Sequence, residues 1–146
     1  MPARTSVARF SPDGLLKLRD SGLAAVTADT PSAAIELNEM SSYWNDGELA
    51  FNQEVAVLVY VSALDDAGTN SYVFVIQTDN EETFGGTPTT ILSRTIDAPG
   101  LYVFAVIREL IESIDPDATH LRVHATLAGD TTPEVTYWAI VSTFNK

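Results

Sequence analysis

The 146-residue chain carries 20 acidic and 8 basic residues, a formal net charge of −12, and contains no cysteine. This charge argues against direct binding to nucleic acid or to anionic membranes, because both are polyanions. The lack of cysteine excludes disulfides, thiolate metal sites and cysteine nucleophiles. A chain of this length is most simply one domain that buries a core without cross-links. No stretch reaches the ~20 apolar residues of a membrane span, and we expect no secretion signal at the N-terminus.

Residues 1–20 are predicted to be a basic N-terminal arm. Residues 21–146 are predicted to be the folded domain, which is acidic. The arm contains half of the basic residues in the chain. Such a segment is expected to dock on an acidic surface, either of its own domain or of a partner. A disordered terminus is the competing interpretation. The basic residues of the arm are Arg4, Arg9, Lys17 and Arg19.

Two short strands are predicted at 23–28 and 32–37, where small and β-branched residues predominate. The dipeptide Thr30-Pro31 is expected to form an edge or turn between them, because proline cannot donate to a sheet ladder. Helix is the competing interpretation for the alanine-rich parts of this region.

The polar stretch 38–53 is predicted to be a loop, and it carries the adjacent aromatic residues Tyr43 and Trp44. Aromatic side chains in a loop suit two interpretations. They form a contact site for a sugar or a protein, or they fold back onto the core as a lid.

The stretch 54–79 predicts a β-hairpin, since two apolar runs flank the turn-forming sequence ALDDAGTN at 63–70. The first run is apolar on both faces and therefore needs cover on both. We expect it in the middle of a sheet, inside a sandwich or an assembly. A second hairpin is predicted from 119–129 and 133–144.

Between the two hairpins, alternation predicts a strand at 90–96, and a further strand at 101–107 is followed by a short helical turn or loop before Asp115-Pro116. The total is about eight strands with short turns. This pattern predicts an all-β, jelly-roll-like antiparallel β-sandwich with an extended N-terminal arm. An immunoglobulin-like sandwich and a small closed barrel are the alternatives.

Patterns for catalysis or metal binding are sparse. His120 and His124 would lie about 13 Å apart on one face of a strand, too far to share a metal ion. Asp79, Glu81 and Glu82 cluster in a turn without the spacing of an EF-hand calcium loop. We therefore predict no enzyme activity, no metal and no cofactor. A glycan-active enzyme that uses Asp79 and Glu81 is the weakest alternative.

Several segments occur in a characteristic order: VFVIQTDNEETF at 73–84, Leu92-Ser93, HLRVHATLAG at 120–129 and VTYWAIV at 135–141. In this order, residues 54–144 resemble the jelly-roll cement, or decoration, proteins of tailed-bacteriophage capsids. The region before residue 54 is longer than in that family.

The resemblance implies a protein that binds the outer surface of the head shell and stabilises it by bridging major capsid protein subunits. It implies a homo-oligomer, a trimer, on the virion surface, assembled in the host cytoplasm and without catalytic residues. From the charge of the arm and the loop aromatics, the expected partner contacts are Arg4, Arg9, Lys17, Arg19, Tyr43 and Trp44.

A carbohydrate-binding jelly-roll module is the alternative function. Its stacking platforms would be Tyr43 with Trp44, or Tyr137 with Trp138, because sugar rings stack on exposed aromatic faces.

Overall fold

A computed structural model describes residues 17–37, 53–129 and 131–145. The elements that lie wholly within these ranges are nine strands and one helix. They are β1 (Lys17–Arg19), β2 (Thr30–Pro31), β3 (Ile35–Glu36), β4 (Gln53–Leu64), β5 (Ser71–Asp79), β6 (Thr89–Ile96), β7 (Gly100–Val106), α1 (Arg108–Ile114), β8 (His120–Ala128) and β9 (Val135–Asn145). The all-β prediction is confirmed. Residues 17–19 of the predicted arm are strand β1, whereas residues 1–16 lie outside the described ranges.

The strands form two antiparallel sheets packed as a sandwich. Sheet 1 has the order β1-β9-β4-β7, and sheet 2 has the order β2-β8-β5-β6, with β3 also paired to β8. The pairing is nested: β1 with β9, β2 and β3 with β8, β4 with β7, and β5 with β6. Nested pairs of this kind, divided between two sheets, make a jelly roll. The fold is therefore a jelly-roll-like β-sandwich.

Both predicted hairpins are wrong. Strands β4 and β5 belong to different sheets, and so do β8 and β9. The stretches 65–70 and 129–134 that join them are longer than the two-residue loop of a tight hairpin, and each crosses between sheets that pack about 10 Å apart. An apolar strand followed by turn residues looks the same in sequence whether the chain reverses within one sheet or crosses to the other.

The strand predicted at 23–28 is also wrong. Only Val26 pairs there, through a single bridge to Val135 with N–O distances of 2.8 and 3.0 Å. The neighbouring Thr30-Pro31, predicted to form an edge or turn, is strand β2 at the edge of sheet 2. An edge strand tolerates proline because its missing N–H can face away from the sheet. The strand predicted at 32–37 contains the short β3.

The strands predicted at 90–96 and 101–107 are confirmed as β6 and β7, and the helical turn is confirmed as α1. Ile111 anchors α1 in the core at 3% exposure, while Ile107 and Ile114 at its ends are exposed. In the described part of the chain, no helix has the length and apolarity needed to cross a membrane.

The core lies between the inner faces of the two sheets. Phe74 of β5 meets Tyr137 of β9 edge to face, with ring centroids 4.8 Å apart, the arrangement that aromatic quadrupoles favour. The largest fully buried side chains come from both sheets: Leu18, Val57, Val59, Val61, Tyr72, Phe74, Ile76, Ile96 and Leu121. Because Leu18 is among them, β1 is packed against the body of the sandwich.

Candidate functional site: an apolar outer face

Two of the six predicted contact residues lie in the described ranges. Arg4, Arg9, Tyr43 and Trp44 lie outside them. Lys17 is exposed, and its Nζ is 3.0 Å from Oδ1 of Asp20. An exposed pair of this kind contributes little to stability, so the Lys17 ammonium stays available to a partner.

Arg19 is held by contacts within the chain. Its Nε donates to the carbonyl of Tyr137 at 3.1 Å, and its Nη2 donates to the carbonyl of Ala24 at 2.7 Å. Its guanidinium also lies 4.9 Å from the centre of the Tyr137 ring. These contacts tie β1 and the segment after it to β9.

A feature that sequence analysis did not assign as a site is the outer face of sheet 1. Since Val57, Val59 and Val61 of β4 point into the core, the alternate residues of β4 point outward, with their neighbours on β7 and β9. Two rows of large apolar side chains result. They are Leu101, Tyr60 and Trp138 in one row, and Val103, Leu58 and Ile140 in the next. We call these six residues the apolar outer face.

The six side chains of the apolar outer face are uncharged, and the nearest charge on the paired strands is Lys17 of β1, opposite Ile140 at the border of the face. Leu101 is 52% exposed, Val103 43% and Tyr60 39%, while Leu58 at the centre is buried. The ranges 56–64, 100–106 and 135–141 that build this part of sheet 1 contain no charged residue, in a chain of net charge −12. Exposed apolar patches with this composition are typical of protein interaction sites.

Tyr60 and Trp138 form an aromatic pair at the end of the face. They lie directly opposite each other on β4 and β9, with ring centroids 5.6 Å apart and ring planes at 26°. Tyr137 points to the opposite side and is 2% exposed. The expected platform of Tyr137 with Trp138 is therefore wrong, because neighbouring residues of a strand face opposite sides of the sheet.

The sequence did contain the signal for this face. The apolar character of β4 on both sides predicted that both would need cover. Only the hydrogen-bonded order β9-β4-β7, however, brings Trp138, Leu101 and Val103 beside Tyr60 and Leu58. The incorrect hairpins placed different strands next to β4, so the patch could not be assembled from the sequence.

A polar cluster lies at the far end of β5 and β8, in sheet 2. Nε of Arg122 donates to Oε1 of Gln77 at 2.9 Å, and its guanidinium lies 4.1 Å from the centre of the Phe84 ring. Burial lowers the pKa of Arg122, an effect partly opposed by Asp79. Burial also lowers the pKa of His124 on the same strand, with the Arg122 charge adding to the effect and Asp29 opposing it.

Asp79 is the buried acid of this cluster, at 8% exposure. Its Oδ1 accepts the backbone N–H of Asn80 at 2.6 Å, and its Oδ2 has no hydrogen-bond partner among the described residues. No group of three or more His, Asp or Glu side chains in those residues is arranged to hold a metal ion. The described residues of this cluster therefore offer no assembled ligand set for a metal ion.

An open cleft of about 370 Å³ lies where β4 ends and β9 begins, and its lining includes Asp65 and Glu134. Oδ1 of Asp65 accepts the backbone N–H of Ala67 at 2.9 Å. Both acids are exposed, so their carboxylates are solvated like those of ordinary turn residues.

Comparisons with known proteins add little to this description. No known family profile and no curated protein matches the chain. Among solved structures, the chain is similar to the crystal structure of the infectious bursal disease virus VP2 subviral particle, with 7% sequence identity and a TM-score of 0.37. The alignment covers 95% of this chain and 32% of that chain. No conclusion about function follows from a likeness this weak, and the fold assignment depends on the strand order described above.

Proposed function

We propose that the protein is a cement protein of a tailed-bacteriophage capsid. In this proposal it binds the outer surface of the head shell and stabilises the shell by bridging major capsid protein subunits. It works as a trimer on the virion surface after assembly in the host cytoplasm. It needs no catalysis and no cofactor, and it contacts neither nucleic acid nor membrane.

The observation that carries the proposal is the apolar outer face of sheet 1. Its exposed members Tyr60, Leu101 and Val103 are large, and no charged residue occurs in the ranges that form it. Depletion of charge together with enrichment of aromatic residues is typical of the centre of a protein interface. The resemblance of residues 54–144 to cement proteins supplies the identity of the partner.

Binding to heads assembled from the major capsid protein alone, measured by co-sedimentation, tests the proposal. The double variant Tyr60→Ser/Trp138→Ser should bind at least about 30-fold more weakly, because an interface hot spot is worth about 2 kcal/mol or more. The matched control is Ile114→Ser, which removes an exposed apolar side chain at the end of α1, a helix that packs against β6 of sheet 2, and should bind like the wild type. Failure of the wild-type protein to bind heads would overturn the proposal.

The Tyr60–Trp138 pair also favours a second candidate, a carbohydrate-binding module, since stacked aromatic rings provide a surface for sugar rings. A sugar site also needs several polar groups directed at the hydroxyls. On the apolar outer face the only side-chain polar groups are the Tyr60 hydroxyl and the Trp138 indole N–H. Retention of a sugar on a glycan array, lost in the double variant, would favour the module over the cement protein.

A further inference from the structure

The free edges of the two sheets differ in how they are protected against pairing with another chain. A free edge exposes backbone N–H and C=O groups, and natural proteins block it with short strands, charges, proline or irregular pairing. In the described residues, β1 is three residues long with Lys17 and Arg19, and β2 contains Pro31. Strand β6 carries the exposed Arg94 and a register shift against β5. These three edges are blocked.

The sequence of strand β7 contains none of these protections. It is seven residues long, contains neither charge nor proline, and pairs with β4 in unbroken register from Gly100 to Val106. Within the described ranges its other edge has no partner strand. Its outward side chains Leu101 and Val103 are among the most exposed large apolar residues. An edge with this composition is a template for adding a strand.

The sequence of β7 is complementary to itself when two copies run antiparallel with Val103 at the centre. In that register Val103 lies opposite Val103 of a second copy, and Leu101 lies opposite Ala105, so a large side chain meets a small one on the outer face. On the inner face Tyr102 lies opposite Phe104, an aromatic cross-strand pair of the kind that stabilises sheets. No like charges meet along the strand.

We propose that two copies of this chain pair through their β7 edges about a two-fold axis at Val103. The contact is isologous, since each copy uses the same surface. It joins two four-stranded sheets into one continuous sheet and doubles the apolar outer face. The contact goes beyond the proposed cement function and requires no capsid. In the proposed trimer it would link one trimer to the next.

Electrostatics makes this contact weak at low salt. Each copy carries a net charge of −12, so the two copies repel each other. In each copy the Arg94 guanidinium also lies 5.0 Å from the centre of the Tyr102 ring, so pairing through β7 brings the two Arg94 side chains towards the shared edge. Salt screens charges beyond about 10 Å at 0.1 M. Association should therefore strengthen with salt, the opposite of an interface held by ion pairs.

A cysteine cross-link tests the pairing directly, because the natural chain has no cysteine. Residues opposite each other in antiparallel strands have Cα atoms about 4.5 to 5.5 Å apart, within reach of a disulfide. Oxidation of Val103→Cys should give a covalent dimer on a denaturing gel, whether or not the protein also forms trimers. Pairing raises the effective thiol concentration, so cross-linking should be at least about tenfold faster than for Ser93→Cys, the matched exposed position on edge strand β6.

The register is tested in the same way. Leu101→Cys alone should cross-link poorly, because the two Leu101 positions lie about 13 Å apart in this register. The double variant Leu101→Cys/Ala105→Cys should cross-link as fast as Val103→Cys. Equal rates for Val103→Cys and Ser93→Cys would overturn the proposal. Rapid cross-linking of Leu101→Cys alone would overturn the register. Circular dichroism checks that each variant is folded, and none of these outcomes depends on binding to heads.

Discussion

The same substitution at two equally buried tyrosines should change stability in opposite directions. Tyr72 and Tyr137 are each 2% exposed. The Tyr72 hydroxyl donates to the carbonyl of Asp65 at 2.5 Å and accepts the backbone N–H of Glu134 at 2.9 Å. These two bonds hold together the ends of the β4–β5 and β8–β9 connections. The Tyr137 hydroxyl is buried with no hydrogen-bond partner among the described residues.

The magnitudes follow from the number of bonds. Tyr72→Phe removes two hydrogen bonds, each worth about 0.5 to 1.5 kcal/mol, so the free energy of unfolding should fall by about 1 to 3 kcal/mol. Tyr137→Phe removes a hydroxyl whose burial without a partner costs about 1 to 3 kcal/mol, so stability should rise by up to that amount. The rings and their apolar area remain in both variants.

Urea unfolding followed by tryptophan fluorescence measures both changes, provided the slope with denaturant stays constant between variants. We expect the midpoint to fall for Tyr72→Phe and to rise for Tyr137→Phe. A loss of stability in Tyr137→Phe as large as that in Tyr72→Phe would refute the reasoning, since it would show that the Tyr137 hydroxyl is bonded.

The pH dependence provides an independent measure of the same site. Burial raises the pKa of Tyr137, and the Arg19 charge opposes this only in part. A folded-state pKa above the unfolded value gives stability that is present below the unfolded value of about 10 and is lost as the pH rises through the folded value. The wild type should therefore lose more stability than Tyr137→Phe between neutral pH and pH values above about 10.

Two further predictions concern a turn and a histidine. A Cβ at Gly129 (φ +144°) would lie 2.6 Å from Cα and 2.9 Å from N of Asn70, whereas one at Gly22 (φ +82°) meets no atom within 4 Å. Gly129→Ala should therefore lower the free energy of unfolding by about 2 to 5 kcal/mol, and Gly22→Ala by about 1 to 2 kcal/mol. Equal losses of stability in thermal unfolding would contradict the steric argument. Because the pKa of His124 is lowered, its contribution to stability is present above its unfolded pKa of about 6.5 and is lost as the pH falls through and below that value. The variant His124→Asn should lose less stability than the wild type between pH 7 and pH 5, and identical pH profiles would show that His124 does not contribute.

The fold class was predictable because it depends on local patterns. Alternation identified β6 and β7, and the two apolar faces of β4 indicated a central strand, which it is, between β9 and β7. The partners of each strand were not predictable in this way. A six-residue connection such as 65–70 suits both a hairpin and a crossing between sheets, so sequence proximity gave the wrong neighbours for β4 and β9.

The difficulty of predicting strand partners also explains why the candidate site was not predicted from the sequence. The residues singled out from the sequence were local features, the charges of the arm and an aromatic pair in a loop. The apolar outer face consists of residues from β4, β7 and β9 that only the strand order brings together. Tyr60 and Trp138 are 78 positions apart in the chain but directly opposite in the sheet, and no local pattern indicates such a pair.

The nested pairing of the strands also governs when the protein can fold during its synthesis. Strand β4 has β9 as one of its two neighbours, and Val57 pairs with Val141, 84 positions further along the chain. A ribosome adding about 5 to 20 residues per second needs roughly 4 to 17 s to reach that partner. Strands β5 and β6 can pair soon after they emerge, whereas β4, which lies between β9 and β7 in sheet 1, waits with one edge open. Sheet 1 therefore closes late, and contacts between such distant residues slow folding. During that interval the open edge of β4 can pair with another chain, which favours aggregation.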